Sequence, residues 1–284
     1  MIKLENVSYT YPRSQKAVLN NISLSIGEGE IFGILGPSGA GKSTLQKLII
    51  GVLNGYKGDV SVLHTKMNKR NQTFYQRLGV AFETPNFYER FTALENLQFF
   101  QSFYERKTER LEDMLAFVGL EGMGQKRLGD FSKGMKMRLN ICRAFLHDPE
   151  LVLLDEPTAG LDPVNVNKVM NYIQSQKSLG KTIMINTHNM QIAEKWCDRV
   201  AFIVDGEIKL VDSPQKLLEQ VDEKKVCVTF RQDGKRIQKY FQLMELFHNE
   251  TFQHLLKSES IDSIHTEVKT LEDFFIEVTG RSLQ

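Results

Sequence analysis

The sequence predicts an α/β fold, a mostly parallel sheet flanked by helices, followed by a smaller α+β appendage. Three observations carry this reading. Short apolar runs at residues 31–35, 151–154, 182–186 and 200–204 alternate with stretches of helical period, the pattern of a sheet wound with crossover helices. A glycine-rich loop, residues 36–44, lies between one such run and a helical stretch. Near residue 220 the character changes: Val226, Val228 and Phe230 alternate, Asp233-Gly234 is a hairpin signal, and residues 237–241 return.

In chain order, Ile2, Leu4 and Val7, then Ile22, Leu24 and Ile26, read as strands, with a turn at 27–30. A helix is expected over 43–53 after the glycine-rich loop, and strands over 59–63 and 78–82. Residues 93–147 read as mostly helical, punctuated at 119–129 and 131–134. This block forms an insertion, about 84–148, between the first core strand and the later ones. In the appendage, a helix surrounds Phe252, Leu255 and Leu256, and 261–268 reads as a strand. Thr270 to Asp273 resembles a capping box before a final helix stopped by Gly280. The domain division is therefore 1–220 and 221–284.

Composition narrows the function. The chain has 284 residues, 36 Lys+Arg against 35 Asp+Glu, and a formal charge of +1. That balance argues against nucleic acid as a partner, because a nucleic-acid footprint is strongly basic. Hydrophobic residues at 41% and charged residues at 25% are globular values. Cys142, Cys197 and Cys227 form no CxxC pair, which reads as reduced thiols in a cytosolic protein. The first residues, MIKLENVSYTYP, lack a signal-peptide pattern, and no run reaches 18 apolar residues. If the protein works at a membrane, another chain must supply the spans.

Two motifs carry chemistry. Gly36, Pro37, Ser38, Gly39, Ala40, Gly41, Lys42, Ser43 and Thr44 fit G-x-x-x-x-G-K-[ST]. Glycines let backbone N–H groups curl round a polyphosphate, and the following helix points its positive end at the same anion. Lys42 suits the β/γ oxygens and the Ser43 hydroxyl suits Mg²⁺. Further on, an apolar run ends in Asp155 and Glu156. A carboxylate at such a strand end faces the ligand crevice. Asp155 suits the Mg²⁺ shell, and Glu156 suits the general base that polarises an attacking water.

With these residues in hand, residues 2–220 resemble the nucleotide-binding subunit of an ATP-binding-cassette (ABC) transporter. The resemblance implies a P-loop ATPase core with a mostly parallel sheet, an antiparallel β subdomain and a helical subdomain. It implies that Tyr11 stacks on adenine, where a buried strand tyrosine is the alternative. It places Phe131-Ser132-Lys133-Gly134-Met135 at the family's signature, usually LSGGQ. Ser132 and Gly134 are retained there, and Lys133 and Met135 depart. Residues 159–162, ending in Asp162, match the D-loop, and His188 matches the switch histidine that contacts the γ-phosphate. The family brings two chains together head to tail, each ATP lying between one chain's phosphate loop and the other's signature.

Glu83 stands where most members carry glutamine, as a contact to Mg²⁺ or water. The surrounding LGVAFETPNFYERFTALENL resembles the bacitracin and lantibiotic self-protection exporters, which carry glutamate there. The resemblance thus implies an ATPase with ATP and Mg²⁺ bound at Lys42, Ser43, Glu83, Asp155, Glu156 and His188. Its partners would be a second copy of the same or a similar subunit and a separate transmembrane permease. It would be cytoplasmic, held peripherally on the cytoplasmic face of the membrane, and would export a peptide antibiotic, drug or lipid-like compound. The alternative is a soluble ABC ATPase powering a non-membrane machine. A regulator or DNA-end-binding ATPase is disfavoured, because neither a long coiled-coil insertion nor a basic surface is visible.

Overall fold

The computed structural model describes residues 1–106, 110–219, 225–232, 235–257, 261–267 and 269–281. By packing, the chain divides into two compact units, Met1–Pro214 with Arg281, and Gln215–Gly280. The junction expected at 220/221 lies outside the described residues, and so does Asp233-Gly234.

The first unit opens with strands β1 (Ile2–Tyr9) and β2 (Leu19–Ile26), an antiparallel pair. Their apolar pattern shifts phase, from Ile2 and Leu4 to Val7 and Tyr9, and from Leu19 to Ile22, Leu24 and Ile26, yet all of these are buried. The register shifts between Leu4 and Val7 and between Val7 and Tyr9, and Asn6 and Asn21 each adopt φ 51. A bulge turns the following side chains back to the same face, and Asn tolerates that left-handed conformation.

Then come β3 (Ile31–Leu35), α1 (Lys42–Ile50), β4 (Lys57–Val62), β5 (Thr65–Lys66), α2 (Gln72–Tyr75) and β6 (Leu78–Ala81). The helix expected to run to Leu53 stops at Ile50. Gly51 takes φ 82 and hands its N–H to the Leu48 and Lys47 carbonyls, a left-handed C-cap that ends the turn.

The helical block comprises α3 (Ala93–Gln101), α4 (Leu111–Phe117) and α5 (Lys133–Phe145). Next are β7 (Leu151–Asp155), α6 (Pro163–Ser178), β8 (Thr182–Thr187), α7 (Met190–Trp196), β9 (Arg199–Val204) and β10 (Glu207–Asp212).

Six strands form the central sheet in the order β10-β9-β3-β8-β7-β6. Neighbours from β9 to β6 run parallel. Strands β3, β7 and β8 are buried along their whole length, which explains their unbroken apolar sequence: helices cover both faces of a parallel sheet. Strand β10 is an addition to the sequence reading. It returns antiparallel through Asp205 and Gly206, at φ 51 and 76, a two-residue hairpin turn. A second, antiparallel sheet has the order β2-β1-β4-β5. Its buried residues share one core with α1, including Leu4, Ile22, Leu45 and Val60.

The second unit holds α8 (Pro214–Glu219) from its second residue, β11 (Lys225–Gln232), β12 (Lys235–Gln242), α9 (Glu250–Lys257), β13 (Ile261–Glu267) and α10 (Leu271–Thr279). Its three strands form an antiparallel sheet in the order β12-β11-β13. Val226, Val228, Phe230, Phe241, Phe252 and Leu255 make its core. Thr270 and Asp273 cap each other's backbone at the start of α10, and Gly280 ends that helix at φ 64. The strand expected to reach Val268 runs to Glu267, and Val268 lies outside the described residues.

Candidate active site

The site is built where β3, β7 and β8 end side by side. Strand β3 leads into the glycine-rich loop, β7 delivers Asp155 and Glu156, and β8 delivers Asn186, Thr187 and His188. The register pairs Leu35 with Thr187 and Asp155 with Asn186, so the pairing sets the order of functional side chains across the crevice.

The loop has no slack at Gly36. A Cβ there would lie 2.1 Å from the Ile203 carbonyl oxygen. Gly41 takes φ 110 at the N-cap of α1, and no side chain caps that helix. Helix N-termini leave backbone N–H groups unpaired, with positive potential. Here that end opens onto a cleft of roughly 490 Å³ lined by Ser38–Thr44, Glu83, Asp155, Glu156 and His188.

Lys42 lies back along its own loop. Its Nζ donates to the carbonyls of Gly36 at 2.5 Å and Pro37 at 3.0 Å. Burial lowers its pKa, and the carboxylates of Glu156, Asp155 and Glu83 pull the other way. The Ser43 hydroxyl donates to Asp155 Oδ2 at 3.2 Å. Asn186 Nδ2 reaches Asp155 Oδ1 at 3.3 Å and also donates to Gln46 of α1. Burial raises the Asp155 pKa, and the charges of Glu156 and Glu83 add to it.

Glu156 is held from three sides. Its backbone takes φ 47 and donates to the Asn186 carbonyl at 2.9 Å. Oε2 accepts the Thr187 hydroxyl at 3.0 Å. Oε1 accepts the His188 backbone N–H at 3.0 Å and lies 2.7 Å from His188 Nδ1. The His188 side chain is 60% exposed against 11% for Glu156, so the histidine has room to swing and the carboxylate does not.

The remaining predicted residues divide into two groups. Tyr11 does not line the cleft. Its ring packs edge-on to Tyr9 at 5.0 Å, and its hydroxyl shares a 3.1 Å hydrogen bond with Thr44 Oγ1. Ser132, Gly134 and Asp162 also lie outside the cleft lining. Ser132 caps α5 by accepting the Met135 N–H at 3.2 Å. Asp162 caps α6 by accepting from Val164 and Asn165 at 3.1 Å each. The Asn165 side chain and these amides lower the Asp162 pKa. The two helix starts are neighbours, since a Cβ on Gly134 would lie 3.2 Å from Leu161 Cδ2.

Sequence reading did not single out Asn186, Thr187 or Gln46. Their signal was present only in register. Asn186 and Thr187 precede His188 on a fully buried strand, where polar side chains need polar partners.

Comparison with known proteins identifies the family. A sequence profile of the ABC transporter family matches residues 19–159. The fluoroquinolones export ATP-binding protein of Mycobacterium tuberculosis is 42% identical over 284 residues, covering 100% of this chain and 94% of that protein. The Nod factor export ATP-binding protein I of Rhizobium meliloti is 36% identical over 230 residues, covering 80% of this chain and 68% of that protein. Among solved structures, an ATP-binding subunit of an ABC transporter superposes with TM-score 0.71 at 30% identity, covering 78% of this chain and 92% of that one. A dimeric ATP-binding cassette in a post-hydrolysis state, bound to ADP and Pi, superposes with TM-score 0.67 at 30% identity, covering 75% and 99%.

Proposed function

The chain belongs to the ABC transporter family as an ATP-binding subunit with ATPase chemistry, and from that premise we propose that it is the motor of an exporter. In this reading two copies, or this chain and a similar one, close head to tail on two ATP molecules. Their closure drives a separate transmembrane permease. No helix among the described residues is long and apolar enough to cross a membrane, in keeping with a division of labour between chains. Two relatives named for export of fluoroquinolones and of Nod factors support the outward direction. The proposed cargo is a peptide antibiotic, drug or lipid-like compound.

One observation carries the reading: Lys42, Ser43, Glu83, Asp155, Glu156 and His188 line one cleft at an uncapped helix start, while Ser132, Gly134 and Asp162 do not. On this reading one chain supplies half of a family site, and Ser132, Gly134 and Asp162 at separate helix starts supply the other half to a partner. In that partner, Ser132 would face the γ-phosphate and Asp162 would cross the interface.

The residues fit Mg²⁺ held together with ATP. Among the described residues no group of three or more His, Cys, Asp or Glu side chains makes a complete metal site. Mg²⁺ characteristically takes few protein ligands and fills its shell with phosphate and water. Ser43 and Asp155, already in contact, would hold it, with Glu83 beside them, and bound Mg²⁺ would supply neutralisation of phosphate charge. Three carboxylates in one cleft, with Asp155 raised in pKa, accord with a site completed by a cation. The backbone N–H groups of residues 39–44 cradle the phosphates and Lys42 leaves its carbonyls for the β/γ oxygens. Tyr11, outside the cleft lining but held beside it through its hydroxyl on Thr44, would take the adenine-stacking role that the family resemblance implies.

Hydrolysis joins a water oxygen to the γ-phosphorus and breaks the bond to the β–γ bridging oxygen. Glu156 accepts the water's proton, and ADP leaves with the electron pair. His188 contacts the γ-phosphate, which requires it to leave Glu156.

The test is hydrolysis by the purified chain, alone and with its permease in vesicles. ATP turnover that rises with the square of subunit concentration, and ATP-dependent accumulation of cargo in inverted vesicles, are expected. Turnover linear in subunit concentration from dilute monomer would contradict the shared site.

A further inference from the structure

Thr187 ends β8 one residue before His188 and is fully buried. The roles assigned above do not use it. Its hydroxyl sits between two partners, accepting the Asn189 N–H at 3.0 Å and donating to Glu156 Oε2 at 3.0 Å. A hydroxyl has one proton and two lone pairs. With an amide N–H occupying a lone pair on one side, the proton is directed at the carboxylate on the other.

The two oxygens of Glu156 are therefore not equivalent. Oε2 is held by a side chain that is buried in a strand and cannot swing. Oε1 faces His188 Nδ1 at 2.7 Å, and that imidazole is exposed and can leave. When it does, Oε1 keeps the His188 backbone N–H and gains one free lone pair, while Oε2 stays fixed. The backbone of Glu156, at φ 47 in the left-handed region, holds the other end of the side chain. With the His188 backbone N–H still on Oε1 at 3.0 Å, these anchors fix where the freed lone pair points, and misplacement of a reacting group by about 1 Å can cost roughly a hundredfold in rate.

We propose that Thr187 is the positioning residue of the catalytic base: its hydroxyl clamps Oε2 of Glu156 so that Oε1 is presented to the attacking water once His188 turns to the phosphate. The proposal rests on the reading of Glu156 as base. The Asn189 N–H belongs to the device, since it sets the direction of the hydroxyl proton.

The test compares Thr187→Val, Thr187→Ser, Glu156→Gln and the double variant Thr187→Val/Glu156→Gln in the full chain. Valine keeps the branched shape suited to a strand and loses the donor. Turnover in Thr187→Val should fall by about tenfold or more, with the Kd for ATP, measured by calorimetry, changed by less than about twofold. Thr187→Ser should recover turnover to within about threefold, because the donor returns. The double variant should be no slower than Glu156→Gln alone, because the clamp acts only through that carboxylate. Should Thr187→Val not fold, as judged by circular dichroism, Thr187→Ala takes its place in the same comparison.

Normal turnover in Thr187→Val beside a dead Glu156→Gln would overturn the proposal and leave the base in place. Equal losses in ATP affinity and turnover would reduce Thr187 to a structural role and also overturn it. A double variant well below Glu156→Gln would show that Thr187 acts elsewhere. Near-normal turnover in Glu156→Gln would instead remove the base on which the proposal stands.

Discussion

Replacing Glu156 by glutamine separates binding from chemistry. Glutamine keeps the length of the side chain and one carbonyl oxygen. That oxygen can accept the His188 N–H as Oε1 does at 3.0 Å. The new NH₂ group then faces the Thr187 hydroxyl, which already accepts one N–H at 3.0 Å and can accept another through its second lone pair once its proton rotates. Each buried N–H has a replacement acceptor and only the Thr187 hydroxyl proton loses its own, so the fold should lose about 1–3 kcal/mol, the cost of one buried donor left unsatisfied. The general base has no replacement. A positioned general base contributes about 10²–10⁴-fold, or roughly 3–5 kcal/mol of barrier. Single-turnover hydrolysis, with calorimetric ATP binding and sedimentation in parallel, should show a rate reduced by about that factor. ATP affinity should be retained and an ATP-bound dimer should accumulate. Turnover within about threefold of the parent would refute the assignment of Glu156.

Lys42→Ala should cost severe ATP affinity with the fold intact, by calorimetry and circular dichroism. The lysine's hydrogen bonds to Gly36 and Pro37 are loop contacts, and unchanged affinity would remove the basis of the phosphate-loop reading. Glu83→Ala should lower export in cells far more than ATP affinity, with an intermediate loss of ATPase. Glu83→Gln should be milder, because it keeps length and an oxygen ligand. Wild-type export from the alanine variant would reduce Glu83 to a solvated surface acid. His147 is fully buried, stacked on Tyr104 at 3.6 Å, and burial pushes its pKa down to about 4. The folded protein therefore excludes a proton that the unfolded chain binds below about pH 6.5. The stability conferred by the neutral ring is complete above that pH and is lost as pH falls toward 4, by about 3 kcal/mol. Urea melts of the larger unit at pH 7, 5.5 and 4 should show a steeper acid loss in the parent than in His147→Gln; parallel pH dependences would contradict this.

What could be read from sequence follows from the range of the interaction concerned. The phosphate loop is contiguous, its glycines and lysine answer to one ligand, and its neighbours are a strand and a helix, so local pattern was enough. Asp155 and Glu156 were readable because an apolar strand ends on them. The apolar pattern predicts a helix to Leu53, because Val52 and Leu53 extend it beyond Gly51, whose φ of 82 ends the helix at Ile50. Strand β10 was missed although Asp205-Gly206 is the same hairpin signal noted at 233–234; every residue of β10 is exposed or half-buried, so apolar alternation is weak there. Thr187, Asn186 and Gln46 were beyond sequence reading for a different reason. Thr187 meets Glu156 across 31 residues, and Asn186 meets Gln46 across 140. Those meetings depend on the order and register of β3, β8 and β7, which no short pattern encodes.

The central claim is that each ATP is completed by two chains, with Lys42 from one and Ser132 from the other. Mixed dimers test it most directly. Lys42→Ala loses the phosphate lysine, and Ser132→Arg places a bulky cation at the start of α5. Each variant alone should be inactive in hydrolysis, while Ser132→Arg still binds ATP as a monomer. In a mixed dimer one composite site carries both lesions and the other carries neither. The account predicts that mixing the two inactive variants restores hydrolysis at the intact site, up to about half the parent rate per mixed dimer if the two sites fire independently. No recovery on mixing, together with normal hydrolysis by Ser132→Arg alone, would contradict it.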